Sequence, residues 1–234
     1  MKRLTLALPL LALAACGSEP EPAPSPTPSQ TPVGPRTLVA AGFDDQDLGP
    51  RIVGPDGPEV TASLTFEGRE IGEVVSYVAC PAPPSPDGDE AMPVPVEEGD
   101  ECDPTAQAEG ALFTYVHRVT PGEGMDGQVL SFRTSRPATG FANTIGFDRE
   151  EAAAALGEDY DIGVSIDNGA LIWRIERGDG WDAGETITLF WQGTLPPEGP
   201  SEAYELETAE GRARVDGPFP PAEAPEEDEP SPPA

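Results

Sequence analysis

Residues 162–175 read Ile-Gly-Val-Ser-Ile-Asp-Asn-Gly-Ala-Leu-Ile-Trp-Arg-Ile, and this stretch decides the fold. Asn168 and Gly169 favour a two-residue type I′ turn, because both central positions of that turn need positive φ angles. The turn sets the register of the flanking strands, and a slip by one residue would move every apolar side chain to the opposite face. The facing pairs are Ile166 with Leu171, Val164 with Trp173 and Ile162 with Ile175 on an apolar face, and Ser165 with Ile172 and Gly163 with Arg174 on the other.

Runs with the two-residue period of β-strands lie on both sides of this hairpin. In residues 187–191, Ile187, Leu189 and Trp191 share one face, and we expect this strand to pair with the 170–177 strand across the loop at 178–184. Further strands are predicted at 60–66, 73–79, 112–119, around 130–132, and at 141–147, 203–206 and 212–215.

One short helix is predicted among these strands. Asp148 is a suitable N-cap, and Glu151 follows three residues later, as in a capping box. Residues 152–156 are strong helix formers, and Gly157 ends the run. A helix of about two turns connects strands and does not form a layer of its own.

Many strands at short spacing, turns rich in glycine and proline, and a single short helix predict an all-β fold. We expect an antiparallel β-sandwich, Ig-like in the broad sense, that forms one domain over residues 37–218. Residues 219–234 are acidic and rich in proline, so we expect them to form a disordered tail.

The N-terminal residues have the pattern of an export signal. Lys2 and Arg3 precede a short apolar run that ends at Leu13-Ala14-Ala15-Cys16 and is too short to span a bilayer as a permanent helix. This small-residue site ending in cysteine resembles the lipobox of bacterial lipoproteins. The resemblance implies that Cys16 is lipidated, that the signal peptide 1–15 is removed, and that the acyl chains hold the protein at a membrane. The alternative is an ordinary secretory peptide that leaves Cys16 free.

Residues 16–36 continue the lipoprotein pattern. Their alternating prolines favour polyproline II, so we expect a stalk that could span about 55 Å between the lipid and the folded domain. Gly17 stands where an aspartate would retain a lipoprotein of enteric bacteria in the inner membrane. The resemblance therefore favours the outer membrane of a bacterial cell envelope, facing the periplasm or the surface.

The chain has three cysteines, and acylation of Cys16 leaves Cys80 and Cys102 as a disulfide pair. We expect this pair to staple the neck of a long insertion between two strands. A redox switch is the alternative, although the pair lacks the short spacing of redox motifs. The enclosed segment holds six prolines and seven acidic residues, which are Asp87, Asp89, Glu90, Glu97, Glu98, Asp100 and Glu101.

Charge and composition exclude several functions. The formal net charge is −30, and loss of Lys2 and Arg3 with the signal peptide brings it to −32. Such a surface repels phosphate backbones, which excludes nucleic acid as a partner. Lys2 is the only lysine, so the mature chain lacks the residue that Schiff-base catalysis and Walker-type phosphate binding need. The sequence predicts no cofactor.

The remaining candidate residues have simpler structural interpretations. His117, the only histidine, would need a nucleophile and an orienting carboxylate to act as a catalytic base, and an ordinary strand histidine is the simpler interpretation. Trp173 and Trp191 fall on the apolar faces of their strands and are expected in the core. Trp181 lies in the loop Asp179-Gly180-Trp181-Asp182 and is the one tryptophan to test for contact with a ligand.

These features predict a lipid-anchored envelope protein with a non-catalytic binding or scaffolding role, an envelope protein as its partner, and no enzymatic activity. One alternative is a hydrolase of envelope sugar or peptide that uses an acidic pair and His117. Another is a calcium-dependent adhesion module, because the acidic loop offers oxygen ligands but lacks the EF-hand pattern.

Overall fold

A computed structural model describes residues 34–83, 100–125 and 127–222 of the chain. The predicted signal peptide, Cys16, nearly all of the predicted stalk and residues 223–234 of the predicted tail lie outside these residues. So do five acidic residues of the predicted loop, namely Asp87, Asp89, Glu90, Glu97 and Glu98.

Strands dominate the described residues, with one α-helix and one 3-10 helix (Pro104–Ala106). The strands are β1 (Arg36–Leu38), β2 (Ala41–Gly42), β3 (Leu48–Ile52), β4 (Val60–Phe66), β5 (Arg69–Pro81), β6 (Glu101–Cys102), β7 (Phe113–Pro121), β8 (Val129–Thr134), β9 (Phe141–Phe147), β10 (Asp161–Asp167), β11 (Ala170–Arg177), β12 (Ile187–Gly193), β13 (Pro200–Thr208) and β14 (Arg212–Pro218), and the α-helix is α1 (Arg149–Leu156).

The strands form two sheets that pack face to face around the main core. The six-stranded sheet has the order β1-β10-β11-β8-β13-β14. The eight-stranded sheet has the order β2-β9-β12-β7-β5-β3-β6, and β4 pairs with β5 beside this path. Two short pairings, β2 with β9 and β3 with β6, are parallel, and the other described pairings are antiparallel. The predicted all-β sandwich with one short connecting helix is confirmed.

The central hairpin has the predicted register at every pair. Ile166 faces Leu171, Val164 faces Trp173, and Ser165 faces Ile172 between them. Asn168 and Gly169 have φ angles of 49° and 82°, as a type I′ turn requires. Turn chemistry and apolar periodicity therefore specify the same structure here.

Gly169→Ala tests this turn. A φ of 82° is strained for a residue with a Cβ atom, and the new Cβ would lie 2.8 Å from Pro137 Cβ. We expect the free energy of unfolding to fall by about 1–2 kcal/mol, measured by urea denaturation. Asn168→Gly is the control, because it keeps the turn geometry without strain and should leave stability unchanged or slightly raised. Equal stability of Gly169→Ala and the wild type would contradict the turn assignment.

The predicted pairing of the 187–191 strand is wrong. β12 does not extend the sheet of β11; it lies between β7 and β9 in the other sheet. The reason is that β12 is buried on both faces. Leu189 faces the main core, whereas Phe190 packs outward against Tyr77 and Val116. A strand of this kind belongs in the interior of a sheet that is covered on both sides.

The last two strands are longer than predicted, and packing into the core continues beyond them. The β13–β14 pairing runs from Pro200 opposite Pro218 to Glu207 opposite Arg212. Phe219, placed in the tail by its acidic and proline-rich surroundings, is 1% exposed and packs 5.6 Å from the ring centroid of Tyr204. A single aromatic side chain therefore anchors the end of the last strand in the core.

The predicted helix is confirmed, but its capping box is only half formed. The Asp148 carboxylate accepts a hydrogen bond from the Glu151 backbone N–H at 2.9 Å. The Glu151 carboxylate instead accepts from the Thr188 N–H, and Asp148 N–H donates to the Thr188 carbonyl at 2.8 Å. The helix start is thus bonded to β12 as well as to itself.

Asp148→Ala removes the N-cap. We expect the free energy of unfolding to fall by about 1 kcal/mol, measured by urea denaturation. Asp148→Asn keeps an oxygen acceptor and should restore most of the loss. If the alanine and asparagine variants are equally stable, the cap does not contribute.

The core tryptophans are placed as predicted. Trp173 is buried, and its Nε1–H donates to the Gly146 carbonyl at 2.8 Å. Trp191 is also buried and stacks on Tyr115, with ring centroids 4.1 Å apart. The Trp173 hydrogen bond joins the two sheets, and the Trp191 ring packs within the eight-stranded sheet.

The chain enters and leaves the sandwich at the same end. Arg36, at the start of β1, faces Ile166 next to the hairpin turn. The end of β14 lies opposite the start of β13, and Thr139 Oγ1 donates to the Ala222 carbonyl beyond it. The Ala138 N–H, one residue earlier, donates to the Gly169 carbonyl in the turn. We call this the terminal end of the sandwich.

Candidate functional site

A buried disulfide joins Cys80, near the end of β5, to Cys102 in β6, with Cα atoms 6.3 Å apart. Its place as a staple between two strands confirms the predicted pair. Ala79, next to Cys80, faces Thr114 at the start of β7, and the neighbouring Phe113 faces Gly193 at the end of β12. Gly193 in turn faces Phe141, whose N–H donates to the Ala138 carbonyl, so the disulfide lies at the terminal end.

An apolar groove of about 470 Å³ lies beside this disulfide. Proline and alanine side chains dominate its lining. The prolines come from β3 and from the end of β5 and the residues after it. Most of the alanines come from the 3-10 helix and the loop that follows it. The proline and alanine residues of the lining include Pro50, Pro81, Pro83, Ala106, Ala108 and Ala111. We call this surface the disulfide groove.

Local capping holds the far wall of the disulfide groove in place. The Asp103 carboxylate accepts hydrogen bonds from the Thr105 N–H at 2.9 Å and from the Thr105 hydroxyl at 2.7 Å. These bonds begin the 3-10 helix and keep the pKa of Asp103 below its usual value. Cys102 binds the same wall to β5 covalently, so both walls are fixed.

The rim of the disulfide groove is acidic. Glu101 and Asp103 both line it and are exposed. Arg51 faces Glu101 in the β3–β6 pairing, but its guanidinium lies 3.9 Å from the Tyr77 ring centroid and forms an ion pair with Glu59. Arg51 is therefore already paired with Glu59 and Tyr77, and it does not neutralise the carboxylates of the rim.

Exposed apolar side chains flank the disulfide groove. Val53 is 47% exposed and follows Ile52, which pairs with Cys102. Leu112 is 38% exposed and follows the lining residue Ala111. These two side chains add apolar surface next to residues of the groove.

His117 lies between the two sheets and is 0% exposed. Its Nδ1 is 2.9 Å from Ser76 Oγ, and its ring centroid is 4.1 Å from that of Tyr204 in the opposite sheet. Among the described residues Nε2 has no hydrogen-bond partner. Burial lowers the pKa of His117 to about 3, because it penalises the charged imidazolium. This environment fits an ordinary strand histidine and gives no support to His117 as a catalytic base.

Trp181, the tryptophan singled out for a test of ligand contact, is buried. Its side chain is 3% exposed, belongs to the main core, and donates its Nε1–H to the Glu185 carbonyl at 2.8 Å. A second cleft of about 510 Å³ lies beside it, away from the terminal end, with Glu123, Asp179 and Asp182 among its lining residues. The loop position predicted exposure, but the ring fills space where the chain crosses from one sheet to the other.

The described residues contain neither a metal-binding cluster nor a membrane-spanning helix. Within residues 34–83, 100–125 and 127–222, no group of three or more His, Cys, Asp or Glu side chains is arranged to hold a metal ion. In the same part of the chain no helix is both long and apolar enough to cross a membrane.

The geometry defines a two-sheet β-sandwich protein with a disulfide-walled apolar groove. Comparison with protein-family models, with curated proteins and with solved structures finds no match for this chain. The groove is therefore the feature of the structure that bears on function. Sequence reasoning placed the disulfide but missed the groove, although the prolines and alanines clustered around Cys80 and Cys102 were a signal for it.

Proposed function

We propose that this protein is a lipid-anchored component of a bacterial cell envelope with a non-catalytic binding or scaffolding role, and that the disulfide groove docks a segment of an envelope protein. The observation that carries the proposal is the groove itself, which is apolar and has both walls fixed by Cys80–Cys102. Fixed walls favour binding because little conformational freedom is lost when a partner docks.

The position of the groove fits an anchored protein. Both the disulfide groove and the start of β1 lie at the terminal end, so the groove lies at the end where the chain enters the folded domain. A polyproline stalk would keep it within about 55 Å of the lipid. The partner segment then belongs to a protein at or near that membrane.

The two alternative functions receive no support from the described residues. A hydrolase that uses His117 would need that side chain at a surface, and it is buried between the sheets. The calcium hypothesis depended mainly on loop acids that lie outside the described residues, and it stays a prediction.

Site-specific photocrosslinking in cells tests the proposal. A photoreactive amino acid at Ala108, an exposed residue of the disulfide groove, should give one discrete adduct with an envelope protein. The same amino acid at Glu158, an exposed residue after α1, is the matched control and should not. The Ala108 adduct should also be lost when Cys16→Ala removes the anchor. Identical adduct patterns from both positions, or none, would contradict the proposal.

A further inference from the structure

The disulfide groove also indicates the chemistry of its partner. On the basis of the proposed function, we infer that the docked segment carries an apolar side chain next to one or more arginine or lysine residues. The two parts of this inference rest on different observations, the lining for the apolar side chain and the rim for the cation.

The lining selects an apolar side chain. Pro50, Pro81 and Pro83 lack a backbone N–H, and Ala108 and Ala111 have no polar side-chain atom. A polar side chain placed against these residues would lose hydrogen bonds to water and gain none from their side chains, which costs free energy. An apolar side chain instead buries its surface together with that of the groove.

The rim selects a cation. Glu101 and Asp103 line the groove, and Glu109 is exposed between the lining residues Ala108 and Ala111. None of the described residues that line the groove is basic, and Arg51 is held against Tyr77. A basic side chain of the partner, next to the docked apolar one, can therefore pair with the rim carboxylates, because no arginine of the groove lining competes for them. An acidic side chain in the same place would be repelled by those carboxylates.

The whole-chain charge acts in the same direction. A net charge of −32 after loss of the signal peptide steers cationic segments toward the domain and repels anionic ones. This long-range attraction is not specific for the groove, so the test must separate the two. A substitution that fills the groove without changing charge makes that separation.

The probe is a random library of 12-residue peptides on phage, selected on the full mature chain with Cys16→Ala. Each round is counter-selected on a second protein that also carries Ala108→Trp, which fills the groove and leaves the net charge unchanged. Because Ala108 is exposed, the substitution should leave the fold intact, and thermal melting of the variant is the check. We expect the surviving peptides to share an apolar residue within two positions of arginine or lysine.

The rim is then tested with one selected peptide. Glu101→Gln should weaken its binding about two- to fivefold, as expected for loss of one exposed ion pair. Glu158→Gln removes the same charge away from the groove and should leave binding unchanged. Selected peptides that are neutral or acidic, no enrichment over the Ala108→Trp protein, or equal effects of both charge variants would each overturn the inference. An Ala108 crosslink in cells together with acidic selected peptides would leave the proposed function standing and remove only the cationic partner.

Discussion

The Cys80→Ser/Cys102→Ser protein is expected to have a free energy of unfolding about 3 kcal/mol lower than that of the disulfide-bonded protein. This value follows from the chain-entropy model, because the bond closes a segment with a sequence separation of 22. For a domain of this size, the melting temperature should fall by roughly 6–12 °C. Guanidinium denaturation of both proteins, each with Cys16→Ala, measures the difference.

Two controls separate the crosslink from the side chains. Cys80→Ala/Cys102→Ala tests whether a buried serine hydroxyl adds to the loss, and addition of reductant to the wild-type chain should reproduce it without any substitution. The Ala108 photocrosslink should disappear in the same variants, since the 3-10 wall of the disulfide groove loses its covalent attachment. A loss below about 1 kcal/mol would show that the unfolded chain already holds these cysteines close together.

The stability of the His117→Asn protein should depend less on pH between pH 6.5 and pH 3 than that of the wild type. In the folded protein the pKa of His117 is lowered to about 3, so the imidazole stays neutral. The unfolded chain takes up a proton near pH 6.5. The unfolded state therefore binds more protons in this window, and stability falls as pH falls.

The size of this effect follows from the pKa difference. Each pH unit below 6.5 costs about 1.4 kcal/mol, so the wild type should lose about 2 kcal/mol between pH 6.5 and pH 5 through this histidine. The contribution is fully present above pH 6.5 and is lost as pH approaches 3.

The asparagine variant isolates His117 from the carboxylates. The chain has 43 acidic residues that also titrate in acid, but they are identical in both proteins, and His117 is the only histidine. Asparagine also keeps a polar group near Ser76 Oγ, which is 2.9 Å from His117 Nδ1. The difference between the two stability curves, measured by urea denaturation from pH 4 to pH 8, should therefore narrow as pH falls. Parallel curves would show that His117 is protonated equally in both states.

Local signals predicted the best-defined parts of the fold. The register of the 162–175 hairpin follows from Asn168-Gly169 and the apolar pattern, since the turn and the strand period act on neighbouring residues. The helix follows from Asp148 and Gly157 for the same reason. The cysteine count predicted the Cys80–Cys102 bond because an exported chain leaves few unpaired thiols.

Contacts between distant segments were not predicted. The same alternation of apolar residues suits an edge or a central strand, so it did not show that β12 lies between β7 and β9. The position of Trp181 in a loop gave no sign that its ring is buried in the core. In each case the residues that determine where the side chain or strand packs are far away in the sequence.

The amino-acid sequence by itself determined the strand-rich class, the central hairpin, the helix and the pair of cysteines, because each depends on turn geometry, side-chain period or residue count. Only the tertiary structure decided which sheet holds β12, that His117 is buried between the sheets, and that prolines and alanines beside Cys80 and Cys102 enclose a groove. A groove is empty space between walls from separate segments, and its shape exists only once those segments have packed.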